Sequence, residues 1–135
     1  MANIFLDDIR TINMSHNSNK GIRNIDNFII VRNDKDFIKI IDNLILSINL
    51  VSFDHDLACY NDGIEFTGKN ACEYLIDKCI EYDRKFPDWY VHSDNTCGRD
   101  NIIGLILNYI KKVDNVDISG YRYYHRGYVN GQFID

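Results

Sequence analysis

Four short apolar runs recur along the chain, and polar residues follow each of them. The runs cover residues 3–6, 28–32, 50–53 and 89–92. Runs of this length between polar segments are typical of buried β-strands. The pattern therefore predicts four strands, each with a polar carboxyl end.

Apolar residues at three- and four-residue spacing indicate three amphipathic helices. The three stripes are Phe37, Ile40, Ile41, Leu44, Ile45 and Ile48; Cys72, Leu75, Ile76, Cys79 and Ile80; and Ile102, Ile103, Ile106, Tyr109 and Ile110. Asp34 is the capping candidate for the first helix. We interpret all three stripes as parts of one core.

Strands separated by helices predict parallel pairing with right-handed crossovers, and so an α/β three-layer sandwich with a mostly parallel sheet. One connection departs from this rule. Residues 11–27 are polar, rich in Asn and Ser, and without a helical period. A loop is expected there in place of the first helix, and loops of this length are often functional.

The segment of residues 113–135 is rich in aromatic and basic side chains. Tyr and Arg are interleaved through residues 121–128, and Asn130-Gly131 is a hairpin turn signal. We expect an edge hairpin that packs on the main domain, residues 1–112, or forms the contact of a homo-oligomer. Stacking on nucleic-acid bases is the alternative use of such a segment.

Length and composition limit the function classes. The 135 residues, 45% of them hydrophobic and 26% charged, fit one globular domain. A net charge of −5 argues against non-specific DNA binding, which needs many basic side chains. The sequence predicts no membrane span and no export signal, so a cytoplasmic location is expected. Its abundant Asn and Ile are typical of AT-rich genomes and fit a phage protein in the host cytoplasm.

The candidate functional residues cluster at the carboxyl ends of predicted strands, where open parallel sheets bind ligands. The clusters are Asp7 and Asp8; Asp54, His55 and Asp56; and His92 and Ser93. Carboxylates brought this close repel one another unless a cation or protons intervene. A site for Mg²⁺ or Mn²⁺ is therefore expected. Its candidate ligands are Asp7, Asp8, Asp54 and Asp56.

Residues 92–101 run from a strand into a helix, so backbone amides and the helix N-terminus would cradle an anion. The candidate phosphate-binding residues are Arg10, Ser93, Asn95, Gly98 and Asn101. For Ser93 and Asn95, helix capping is an equal alternative. For Arg10, the alternative is a surface salt bridge.

Two histidines lie among these clusters, and a histidine can give or take a proton near neutral pH. The candidate catalytic residues are therefore His92, His55 and Asp54. A structural role is the alternative for a single histidine at the end of a strand.

Three motifs resemble those of the cyclic-phosphate-processing receiver-like family. They are Leu6-Asp7-Asp8-Ile9-Arg10, Ser52-Phe53-Asp54-His55-Asp56-Leu57 and His92-Ser93-Asp94-Asn95-Thr96-Cys97-Gly98. Thr67-Gly68-Lys69-Asn70-Ala71 opens the second helix in the manner of this family, and the resemblance covers about residues 3–112. The sequence departs from the family at Ala58, where Gly is usual, and at Thr96-Cys97, where Pro-Val is usual.

The resemblance implies a receiver-like flavodoxin fold and a substrate that is a nucleotide or RNA end with a cyclic phosphate. The leading hypothesis is a metal-dependent phosphoesterase that hydrolyses or opens this ring. One alternative is sequestration of a cyclic nucleotide signal without turnover. Another is a phosphoacceptor domain with Asp54 as acceptor. Response-regulator receivers carry a Lys after a fifth strand, and no Lys follows Lys112 here.

Overall fold

The computed structural model describes residues 1–9 and 27–135. The strands in this part of the chain are β1 Ala2–Leu6, β2 Phe28–Val31, β3 Ile48–Phe53, β4 Cys59–Asn61, β5 Ile64–Phe66, β6 Asp88–Val91, β7 Gly127–Val129 and β8 Gln132–Ile134. The helices are α1 Asp34–Leu44, α2 Gly68–Glu81 and α3 Thr96–Lys112. The four predicted strands and three predicted helices are confirmed.

Six of the strands form one sheet in the order β2-β1-β3-β6-β7-β8. β1 pairs in parallel with β2 and β3, and β3 pairs in parallel with β6. β7 and β8 are antiparallel to their neighbours. The mostly parallel sheet of a receiver or flavodoxin-like α/β fold is thus confirmed. It brings the carboxyl ends of β1, β3 and β6 to one edge.

The three helices cover one face of the sheet. α1 contacts α2, and α2 contacts α3. Their apolar stripes share one buried cluster with Ile4, Val51 and Val91 of the central strands. A second, smaller cluster around Leu50 and Tyr90 lies on the other face. The described residues therefore supply the sheet and one helical layer of the predicted sandwich. The predicted loop at 11–27 falls almost wholly on residues outside the described part.

The ends of α1 differ from the prediction. Asn33 is the N-cap, because its side chain accepts a hydrogen bond from Asp36 N at 2.9 Å, so the assignment of Asp34 as cap was wrong. α1 ends at Leu44, and Ile48 begins β3 instead of continuing the helix. Ile45 and Ile48 are both buried in the main core. The helical spacing of apolar residues therefore continues through Ile45 and Ile48, so the sequence pattern does not show where the helix ends.

A hairpin that the sequence analysis missed, β4 and β5, lies between β3 and α2. Asp62 and Gly63 form its turn with φ values of 51° and 78°, as a type I′ turn requires. Asn61 Nδ2 donates to Asp34 Oδ2 at 2.9 Å and ties the hairpin to the start of α1. Strands of three residues are too short to show alternation, although the Asp-Gly turn signal is present.

The C-terminal segment joins the sheet through pairing of β7 with β6. β7 and β8 form the expected edge hairpin around Asn130 and Gly131. Gly127 allows the close approach, because a Cβ there would lie 2.4 Å from Trp89 O. The division of the chain at residue 112 and the homo-oligomer stay predictions. None of the helices in the described ranges is long and apolar enough to cross a membrane.

Candidate active site

The central strands end in register, and this brings their terminal side chains together. Asp54 N donates to Leu6 O at 3.0 Å, and His92 N donates to Phe53 O at 2.9 Å. Asp7, Asp54 and His92 each offer one ligand atom, and these atoms all lie within 4.8 Å of one another. The expected convergence at the carboxyl ends of β1, β3 and β6 is therefore observed for these three residues.

His92 is held between two polar side chains and an aromatic ring. Its Nε2 lies 3.0 Å from Asp7 Oδ2, and its Nδ1 lies 2.8 Å from Ser52 Oγ. The imidazole stacks on Phe5 with the ring centroids 4.5 Å apart. A carboxylate only accepts hydrogen bonds, so Nε2 carries a proton, while the Ser52 hydroxyl can either donate to Nδ1 or accept from it. Asp7 thereby orients the ring of a fully buried histidine.

Ser52 is a site residue that sequence reasoning missed. It lies inside β3 and is completely buried. The available signal was a hydroxyl in an otherwise apolar run, but a buried Ser can bond to many groups, including its own backbone. Its partner, His92 directly after β6, can be identified only once the pairing of the strands is known.

Asp54 is 5% exposed and accepts a hydrogen bond from His55 N at 2.8 Å. Burial raises the pKa of this carboxyl, and the charge of Asp7 raises it further, against the opposing effects of His92 and of hydrogen bonds from His55 and Ser93. Gly68 at the start of α2 packs against its backbone, since a Cβ there would lie 1.8 Å from Asp54 O. The position therefore requires glycine.

His55 and Asp56 form a second, more exposed pair. His55 Nδ1 lies 2.8 Å from Asp56 Oδ1, and Asn95 Nδ2 donates to Asp56 Oδ2 at 3.2 Å. The hydrogen bond from His55 lowers the pKa of Asp56, and that from Asn95 lowers it further. Gly98 lets the His55 ring approach α3, because a Cβ at residue 98 would lie 2.3 Å from His55 Cγ. Both partners of Asp56 thus reduce its freedom to bind a ligand.

The predicted phosphate cradle is largely occupied by the chain itself. Asn95 is the N-cap of α3, and its Oδ1 accepts from Gly98 N at 2.9 Å. Ser93 Oγ accepts from Asn95 N at 3.2 Å. These contacts favour the capping alternative for Asn95. Asn101 lies on α3 with an exposed side chain, and Arg10 lies outside the described residues.

A cavity of about 240 Å³ opens above the cluster. It is lined by Asp8, Ile9, Asp54, Asp56, Ser93, Asp94 and Asn95. No Lys or Arg is among these lining residues. An anionic ligand would meet carboxylates on several sides, so it needs a cation in this cavity.

The donors present fit a divalent metal ion. Asp7 and Asp54 supply buried carboxylates, which suit Mg²⁺ or Mn²⁺, whereas both ring nitrogens of His92 already contact Asp7 and Ser52. Asp8 and Asp56 line the cavity but lie outside the compact group. The structure thus brings together two of the four predicted ligands, Asp7 and Asp54, and places His92, which was predicted as a catalytic residue, beside them.

Comparison with known proteins gives one informative result. The sequence model of the cyclic-phosphate processing receiver domain matches residues 2–108, well over half of the chain. No curated protein and no solved structure gives a significant match. The family match confirms the resemblance that the three motifs indicated.

Proposed function

The chain belongs to the cyclic-phosphate processing receiver domain family, and we propose that it opens or hydrolyses the cyclic phosphate of a nucleotide or an RNA end with Mg²⁺ or Mn²⁺. The observation that supports this most is the group of Asp7, Asp54 and His92, whose ligand atoms lie within 4.8 Å beside the acidic cavity. A phosphodiester would be repelled there without a cation. A metal ion would offset the carboxylate charges and polarise the phosphoryl group.

The chain's own residues would then hold and supply protons. A cyclic phosphodiester carries one negative charge, and its opened product is a monoester with up to two. Water adds its oxygen to phosphorus and releases one proton to solvent, one ribose P–O bond breaks, and the released ribose oxygen takes up a proton. In our proposal the imidazolium form of His92 supplies that proton from Nε2, which lies 3.0 Å from Asp7 Oδ2, and the neutral ring then regains a proton from solvent. Ser52 orients the ring from the other side.

His55 is a second proton donor to consider, as it is 17% exposed and bonded to Asp56. Its hydrogen bond to the Asp56 carboxylate places a proton on Nδ1. We assign it the exchange of protons with solvent and keep His92 as the residue beside the metal-binding group. The substitution His55→Gln should therefore slow turnover less than a substitution of His92 does.

The phosphoacceptor alternative receives less support. An acceptor carboxylate must be ionised and accessible, whereas Asp54 is 5% exposed and its pKa is raised by burial. The strand beside β6 is the antiparallel β7, not a fifth parallel strand that could present a Lys.

The experiment is to follow ring opening by phosphorus NMR with nucleotides that carry a cyclic phosphate. Opening should require Mn²⁺ or Mg²⁺ and stop when EDTA is added. Tight binding without opening under either metal would favour the sequestering alternative. The absence of both binding and ring opening with every nucleobase would refute the proposed substrate class.

A further inference from the structure

A groove between α3 and the C-terminal segment lies beside the candidate active site. Its volume is about 400 Å³, and Thr96, Arg99 and Ile103 of α3 face Tyr121 and Tyr123 across it. Thr96 directly follows Asn95, which lines the active-site cavity. Residues that line the two cavities therefore lie within one helical turn of each other at the N-terminus of α3, so a ligand longer than one nucleotide could reach both.

Arg99 brings an incompletely neutralised positive charge to this groove. Its Nε is buried and makes no hydrogen bond to any residue in the described ranges. The carboxylate of Asp100 lies 3.8 Å away, beyond hydrogen-bond distance, and its side chain is 64% exposed. Arg99 is 17% exposed, and a guanidinium of this kind can donate N–H bonds to a phosphate group through its Nη atoms.

The wall opposite Arg99 is aromatic. Tyr123 is 87% exposed, and Tyr124 beside it is 48% exposed. Tyr121 is fixed by edge contact with Phe133, with ring centroids 5.6 Å apart. An exposed ring next to a basic side chain is the arrangement on which single-stranded nucleic acids stack their bases.

Residues 119–128, which carry these tyrosines, contain two Arg and no Asp or Glu in a chain of net charge −5. Arg122 Nη1 donates to the carbonyls of Ser119 and Tyr121, and Arg126 Nη1 donates to that of Tyr123. These bonds hold two more guanidinium groups at the turn. The groove lining holds one guanidinium, Arg99, and one carboxylate, Asp100, so unlike the acidic cavity it offers a basic side chain to a phosphate.

We propose that this groove binds the nucleotide next to the one that carries the cyclic phosphate, so that the substrate is an RNA end and not a cyclic mononucleotide. The inference rests on the proposed function of the neighbouring cavity. Asn95 and Arg99 are separated by about 6 Å of helical rise, which approaches the spacing of consecutive phosphates on an extended strand. A base would stack on Tyr123, and its phosphate would pair with Arg99.

The groove also uses residues outside the part that matches the family. Tyr121 and Tyr123 lie beyond residue 108, where the match ends. We therefore assign the preference for an RNA end to the C-terminal segment of this chain. The cyclic-phosphate chemistry belongs to the shared domain.

The test measures the Mn²⁺-supported affinity for three fluorescent probes. They are a cyclic mononucleotide, a tetranucleotide RNA with a terminal 2′,3′-cyclic phosphate, and the same RNA with a terminal hydroxyl. The wild type should bind the cyclic-ended RNA about 10-fold or more tightly than the mononucleotide. Tyr123→Ala and Arg99→Gln should remove this advantage and leave mononucleotide binding unchanged. Arg99→Gln should also reduce the salt slope by about 0.7.

Tyr82→Ala and Lys112→Gln are the matched controls, an exposed tyrosine directly after α2 and an exposed charge at the far end of α3. Neither should change any affinity. Equal binding of the cyclic-ended RNA and the mononucleotide would overturn the groove inference alone. Tight, Tyr123-dependent binding of both RNAs regardless of their ends would uphold the groove and overturn the proposed cyclic-phosphate site. No binding of any probe, or a dimer that Tyr123→Ala dissociates without RNA binding, would overturn the inference.

Discussion

His92 Nε2 lies 3.0 Å from Asp7 Oδ2, and both side chains are completely removed from solvent. Asp7 Oδ1 accepts a second hydrogen bond, from Ile9 N at 3.0 Å. The carboxylate charge is therefore compensated by one local hydrogen bond, from Ile9 N, and by one from His92, which forms only when β1 and β6 are placed on either side of β3. The pair serves the fold and the proposed chemistry at once.

His92→Ala should lower the free energy of unfolding by about 3–5 kcal/mol, because it leaves the Asp7 carboxylate buried without its partner. Adding Asp7→Asn should restore part of this loss by removing the uncompensated charge. Urea denaturation of the two single variants and the double variant forms the cycle. Strictly additive changes would contradict a coupled pair.

Asp54→Asn should stabilise the metal-free protein at neutral pH. The raised pKa of Asp54 means that its ionised form is disfavoured in the folded state, so the cost is absent at low pH and grows as pH rises through the folded pKa. Each 1 kcal/mol gained should raise Tm by roughly 2–8 °C. Thermal melts in EDTA from pH 3 to pH 8 should show the gain at neutral pH and its loss in acid.

Asp56→Asn is a control for which the opposite change in stability is expected. The hydrogen bond from His55 lowers the pKa of Asp56, so its ionised form stabilises the fold above the unfolded pKa, and that contribution is lost as pH falls. The variant should lose stability at neutral pH, with the difference fading in acid. The same sign for both variants would refute the assigned environments.

Gly98→Ala should displace the His55 ring, because the new Cβ would lie 2.3 Å from His55 Cγ. We expect a destabilisation of about 1–3 kcal/mol, the usual cost of overpacking, together with loss of the His55 hydrogen bond to Asp56. Gly104→Ala on the same helix is the control. A Cβ at residue 104 would meet no described atom within 4 Å apart from its chain neighbours and the backbone of its own helix. Gly104→Ala should therefore raise the free energy of unfolding by about 0.5–1 kcal/mol. Denaturation and the NMR shifts of His55 measure both effects.

Ala58→Gly should stabilise the protein by about 0.5–1 kcal/mol. Ala58 has a φ of 51°, in the left-handed region that favours glycine. Ala71→Gly in the buried face of α2 should instead cost about 1 kcal/mol or more. A loss of stability in both variants would show that Ala58 is not strained.

The convergence of Asp7, Asp54 and His92 was predictable because parallel strands present their carboxyl ends at one edge. Which member of the Asp7-Asp8 pair turns inward was not, since both follow β1 directly. Asp7 is buried, whereas Asp8 lies at the cavity wall. The role of Ser52 depends on a contact across 40 residues that local pattern cannot reveal.

The helix caps were predictable only to within one residue. Asn33 and Asp34 are both good N-cap residues, and the choice depends on which side chain reaches Asp36 N. At the start of α3, the structure decides between the two alternatives for Asn95, phosphate binding and helix capping, because its Oδ1 accepts a hydrogen bond from Gly98 N. The sequence located the segments that begin these helices but did not determine which hydrogen bonds cap them.

The most direct test of the central claim is Mn²⁺ titration followed by electron paramagnetic resonance on the wild type and two matched variants. Asp54→Asn removes a carboxylate of the metal-binding group, and Asp94→Asn removes a cavity-lining carboxylate outside that group. We predict one tight site in the wild type, at least about 10-fold weaker binding in Asp54→Asn, and affinity within about 2-fold in Asp94→Asn. Equal Mn²⁺ affinity in the wild type and Asp54→Asn, with both proteins folded, would contradict the account.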